Sequence, residues 1–163
     1  MALTPEDGTG LASADSYASV TQADEYHAAR GNAAWAALAE PAKESALRRS
    51  TDYMVQEYRA RWAGVRATGV QALDWPRSGV IVDGFEVVGV PVEVVRACCE
   101  LALKASIAAL SADTGRTVTR EKVDVIEVEY SEFGPTGTQY TAVNAMLRPF
   151  FGVGGLNRSL VRS

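Results

Sequence analysis

The sequence predicts a mainly α protein: a small helical bundle with a long central apolar helix, a short β-hairpin, an extended segment and a flexible C-terminal arm. Three observations carry this. Ala (26) and Gly (14) together make 40 of the 163 residues, a bias toward thin helices that approach closely. Apolar residues recur at helical spacing over two long stretches, 41–62 and 91–112. Strand signals are short and confined to the Gly-punctuated middle and to one later segment. A chain of this length suits one domain, burying roughly 70% of its unfolded surface. The reading divides it into a helical body, 1–149, with a hairpin insertion near 78–90, and an arm, 150–163.

Residues 1–18 are small and polar, with Pro5, Gly8 and Gly10, and read as a loose lead-in ending at Tyr17. A first helix is expected from about Thr21 to Arg30. Thr21 with Asp24 resembles a capping box, and Gly31-Asn32 supplies a left-handed stop. Ala33 to Ala39 reads as a short helical turn carrying Trp35 and Leu38. Pro41 suits a first helical position, and Leu47, Met54, Tyr58 and Trp62 repeat at near-helical spacing until Gly64. Glu44, Arg48 and Asp52 form an alternating-charge stripe on the other side, so this helix is expected to be peripheral.

Asp83-Gly84 between Val80-Ile-Val82 and Phe85-Glu-Val-Val88 is a hairpin signal, with strands too short for a sheet domain. Pro91 opens the strongest helix, expected to run to about Ala112 and to span roughly 30 Å. Its charges, Glu93, Arg96, Glu100 and Lys104, lie in one narrow stripe, so cover is expected on several sides, from its own chain or from neighbouring subunits. Val123 to Tyr130 reads as an extended segment with Glu127 and Glu129 on its outer face, and Tyr140 to Arg148 as a last short helix limited by Pro149. The end, 150–163, has exposed-prone aromatics, three Gly and no acid.

Net charge is −4, against a protein that coats nucleic acid, although residues 41–80 carry seven bases against four acids. The start has no basic and apolar leader, and the charges in 87–112 break any membrane span, so the chain is expected in the cytosol, away from membranes. Adjacent Cys98 and Cys99 point about 100° apart on a helix and read as two buried reduced thiols. His27 is the single His and reads as exposed or locally bonded rather than as a base or ligand. Glu127, Glu129 and Glu132 read as a solvent face rather than an acid/base set. Gly152-Val-Gly154-Gly155 lacks the Lys-Ser/Thr and following helix of a phosphate loop, and no Gly-x-Ser-x-Gly is present. No enzyme activity, metal or cofactor is expected. Trp75-Pro76-Arg77 leaves two options open, a loop anchored by Trp in the core or an interface anchor, since Trp and Arg are frequent hot-spot residues.

Taken together, Ala14-Asp15-Ser16-Tyr17, the Ala23-Asp-Glu-Tyr26 helix, Gly31, Trp35, Ala46-Leu-Arg-Arg-Ser-Thr-Asp-Tyr53, Gln71-Ala-Leu-Asp-Trp-Pro-Arg77, Val90-Pro91 before an Ala-rich helix, and the strand ending at Tyr130 resemble a family of tailed-phage proteins. That family is catalogued as DnaT-like ssDNA-binding proteins and resembles head–tail connector adaptors, also called head-completion proteins. The adaptor resemblance implies a structural virion protein of the phage neck, made in the bacterial host cytoplasm. Such subunits form a ring, commonly of twelve copies, beneath the portal protein. They bridge to a stopper or tail-completion protein, and genomic double-stranded DNA passes through without sequence recognition. It also implies a C-terminal arm that docks on the portal, here Phe150, Phe151, Leu156, Arg158, Leu160 and Arg162. The alternative is a single-stranded DNA-binding protein of DnaT-like type. Its face would use Arg48, Arg49, Arg59, Arg61 and Arg66 with Tyr53, Tyr58 and Trp62 as stacking rings, diluted by Glu44, Asp52 and Glu57.

Overall fold

Five α-helices form among the described residues of the computed structural model, which are 2–111, 120–123, 126–129 and 140–152. The first, α1 (Val20–Ala28), is started by Ser19, whose hydroxyl accepts from the Gln22 amide while the Gln22 side chain caps the Ser19 amide. The capping box therefore sits two residues before the expected Thr21, because Ser19 holds the extended backbone that an N-cap needs. Gly31 adopts the expected left-handed conformation, φ +67°. A single turn, α2 (Ala33–Ala36), buries Trp35. Pro41 lies in the first turn of α3 (Glu40–Tyr58), which ends earlier than predicted; Trp62 instead pairs as an isolated bridge with Phe151.

Far from being peripheral, α3 packs along α4 (Val92–Ile107) through Ala46, Leu47, Ser50, Thr51, Met54 and Tyr58. Most of the apolar circumference of α4 is covered by this chain itself, with α3, α1 and α5 (Thr141–Leu147) all against it, while Val92 and Ile107 at its ends stay exposed. No neighbouring subunit is needed to bury Val94, Ala97, Leu101 or Ala105. The helix stops at Ile107, before the predicted Ala112, because Ala108 is extended and returns buried Leu110 to the core. Cys98 and Cys99 are buried free thiols as predicted. Cys98 Sγ sits 3.1 Å from Ser50 Oγ and 3.5 Å from Thr51 Oγ1.

The lead-in is ordered rather than loose, because one buried carboxylate gathers its backbone. Glu6 accepts from the amides of Gly8, Gly10 and Leu11 at 3.0, 2.8 and 3.0 Å. Asp15 accepts from the Thr4 amide and pairs with Arg48, so the charge stripe of α3 lies partly under this segment. His27 is buried, not exposed. Its Nε2 meets the Cys99 carbonyl at 3.1 Å, its Nδ1 meets Asn32 Nδ2 at 2.9 Å, and its ring packs on Trp35.

Three two-stranded antiparallel ladders are described. β1 (Val65–Arg66) pairs with β2 (Arg77–Ser78) in the register Val65 to Ser78 and Arg66 to Arg77. β3 (Ile81–Val82) and β4 (Phe85–Glu86) form the predicted hairpin, with positive φ at both Asp83 and Gly84, as a two-residue primed turn requires. β5 (Arg120–Val123) and β6 (Ile126–Glu129) pair as a hairpin where the sequence reading has one extended segment. After α5, a 3₁₀ turn over Arg148–Phe150 brings Phe150 into the core.

Candidate functional site

The Gln71-Ala-Leu-Asp-Trp-Pro-Arg77 segment is an internal anchor. Trp75 is fully buried against Trp62 and Phe150, and Pro76, joined to it by a cis peptide, is buried too. Gln71 donates to the carbonyls of Leu73 and Pro76, and the Tyr17 hydroxyl accepts from the Asp74 amide. The Arg77 guanidinium donates to three carbonyls, Ala63 at 2.6 Å, Gly64 at 2.8 Å and Asp74 at 3.2 Å. Trp75 and Pro76 sit in the core, as a loop anchor would, while half-buried Arg77 reaches the surface. Burial lowers the Arg77 pKa, Asp74 opposes that, and nearby Arg66 adds to it. The group stays charged at neutral pH all the same.

The five arginines of the predicted nucleic-acid face are engaged unequally. Arg48 is tied to Asp15 and Glu44 under the lead-in, and Arg49 Nε donates to the Ser45 carbonyl of its own helix. Arg61 pairs with Glu57 at 3.6 Å and lies 4.1 Å over the Phe151 ring. Tyr58 and Trp62, expected as stacking rings, are buried in the core, and Tyr53 is half-buried edge-on to Tyr58 and Tyr140.

Arg59 and Arg66, however, meet Arg77 around a cleft of about 550 Å³ whose wall is the Gly64–Gly69 loop. Its floor is Asp74, 1% exposed, with Oδ1 accepting from Arg59 Nε at 2.9 Å and Oδ2 without a hydrogen-bond partner among the described residues. Arg77 belongs to this cleft, a placement the sequence reading missed. A signal was present: between Glu57 and Asp83 the chain has four arginines and Asp74 as its one acid.

The predicted docking arm divides. Phe150 is buried, and Phe151 packs on Tyr58 and Trp62. The Ala63 amide donates to the Phe150 carbonyl and the Gly152 amide to the Arg61 carbonyl, so the chain is held to the body through Gly152. Leu156, Arg158, Leu160 and Arg162 lie outside the described residues.

A second surface stands out by exposure. Ile81, Phe85 and Val88 are 67%, 78% and 87% exposed. Register puts Ile81 beside Glu86 on one face of the hairpin and Phe85 beside Val82 on the other. The ribbon therefore shows large apolar groups on both faces, with Asp83 and Glu86 as its charges. No helix among the described residues is long and apolar enough to cross a membrane.

These features define a small, mainly helical protein with a basic cleft and a protruding apolar ribbon. The chain belongs to the family described as "Putative DnaT-like ssDNA binding protein", whose sequence model matches residues 1–163. No curated protein and no solved structure matches it.

Proposed function

We propose that this protein is a self-assembling structural subunit, the ring-forming adaptor of a tailed-phage neck that its sequence resembles. In that role copies of the chain sit beneath the portal protein, bridge to a stopper or tail-completion protein, and let double-stranded DNA pass. The observation that carries the reading is the β3–β4 ribbon. A two-stranded hairpin is marginal alone; Val82 packs on the core, and burying the exposed Ile81, Phe85 and Val88 against a partner would contribute roughly 1.5–3 kcal/mol for each large side chain. On this reading the docking arm is the segment after Gly152, and Leu156, Arg158, Leu160 and Arg162 are its portal contacts. Light scattering and negative-stain imaging of the protein, alone and mixed with portal, test this. Rings or a portal-bound layer are expected, weakened by Phe85→Ser and, for the portal, by removal of 153–163. A monomer at all concentrations with no portal-bound layer overturns the reading.

A second reading, single-stranded DNA binding, is the one the family description favours, and the arginine cleft supports it. It predicts salt-sensitive binding of an unstructured oligonucleotide by the monomer. No measurable binding at low salt removes it.

A further inference from the structure

Arg66 and Arg77 face each other directly across the β1–β2 ladder. Like charges at such a position destabilise a strand pair, and a ladder of two residues a side has little to set against that. Local conflicts of this sort in an otherwise consistent fold mark functional positions. Arg77 is partly compensated by its three carbonyl partners. Arg66 is exposed, and its side chain has no hydrogen bond or ion pair among the described residues. On the far side, Asp74 takes Arg59 by Nε, which fixes that side chain, and its terminal nitrogens have no partner among the described residues. Three guanidinium groups against one carboxylate leave the cleft at about +2 on a chain whose net charge is −4.

We propose that this cleft is a phosphate-binding site, with Arg66 and Arg59 as the contacting residues, Asp74 and Arg77 as their positioning residues, and a backbone phosphate of nucleic acid as the ligand. The site is independent of ring assembly and deepens the nucleic-acid reading, on which the choice of a backbone phosphate rests. Arginine suits the task because its planar fork offers paired donors to phosphate oxygens. A phosphate placed between Arg66 and Arg59 also relieves the repulsion across the ladder. Ligand binding and local stability are therefore linked, which a purely structural arginine pair would not show.

The test titrates inorganic phosphate into the full-length protein at constant ionic strength while following the arginine Nε–Hε resonances. A labelled oligothymidylate is then bound with and without phosphate. Arg66→Gln is the variant and exposed Arg96→Ala the control. Saturable shifts at Arg59 and Arg66 are expected, together with phosphate competition against the oligonucleotide. Arg66→Gln should weaken oligonucleotide binding about tenfold and lower the salt slope by about one. It should also leave the phosphate-free melting temperature equal or higher while abolishing the stabilisation by phosphate. Absence of phosphate shifts, with oligonucleotide binding unchanged in Arg66→Gln, overturns the site but not the reading. Phosphate binding without oligonucleotide binding overturns the backbone assignment, and failure of both overturns the proposal with the reading beneath it.

Discussion

Replacing Arg77 by Lys keeps the charge and removes the fork, which separates an internal clamp from a charged surface contact. The guanidinium supplies three hydrogen bonds, to Ala63, Gly64 and Asp74 carbonyls. A lysine ammonium at the end of a flexible stem reaches one of them. Hydrogen bonds to charged groups contribute about 1.5–3 kcal/mol each, and the Gly64 contact is exposed, so its carbonyl turns to water at little cost. The net loss is then about 1.5–3 kcal/mol. At roughly 2–4 °C per kcal/mol for a chain of this size, the melting temperature should fall by about 3–12 °C. Urea unfolding followed by tryptophan fluorescence reads this directly, since Trp62 and Trp75 lie beside the clamp. The midpoint should drop at constant slope. A change below about 0.5 kcal/mol would refute the clamp, and normal stability with lost partner binding would return Arg77 to the interface.

Trp75→Ala should cost about 3–5 kcal/mol in chemical unfolding. Trp75→Phe should cost far less, because Trp75 Nε1 has no hydrogen-bond partner among the described residues; equal losses would contradict this. Burial holds the His27 pKa below 6.5, against the pull of the Cys99 carbonyl, Glu100 and Asp24. The folded state therefore binds fewer protons than the unfolded one, so stability should be full above about pH 6.5 and decline as pH falls toward the folded value. Urea midpoints at pH 7.5 and 5.5 check the sign, and His27→Gln should flatten that slope. Both thiols should resist a disulfide reagent in the native protein and react in urea, burial having pushed Cys99 well up; fast native labelling would mean that α4 opens.

Most of the helices and the Asp83-Gly84 hairpin are legible in the sequence, because spacing, Pro41, Gly31 and the Asp-Gly pair act within a few residues. What is not legible depends on partners far along the chain. The lead-in reads as loose since nothing local reveals that Glu6 would collect three amides, or that Asp15 would meet Arg48 across 33 residues. The α4 helix invites neighbouring subunits only while its cover by α1, α3 and α5 is invisible. Phe150 and Phe151 read as tail because a Pro-Phe-Phe-Gly run has the composition of an arm. Their burial requires Trp62 and Trp75, which lie 75 to 89 positions away. The cleft was half legible: its arginines are plain in the composition, but the cross-strand meeting of Arg66 with Arg77 is a fact of register.

The distribution of rings and charges bears on which reading describes the main role. A sequence-tolerant single-strand binder interleaves exposed aromatics with cations, so that bases stack where phosphates are neutralised. Here the two are segregated. Phe85 is the one exposed ring among the described residues, and it stands between Asp83 and Glu86, whose charges repel a phosphate backbone. The arginine cleft has charge but no exposed ring on its lining, and the rings nearest to it, Trp62 and Trp75, are sealed in the core. A backbone contact without stacking holds a strand weakly and without regard to its bases. An acidic ribbon tipped with Phe85 is instead suited to a protein partner carrying an apolar socket with basic edges. On the proposed adaptor reading, the ribbon makes the strong contacts, with other proteins, and the cleft makes a weak one, with nucleic acid.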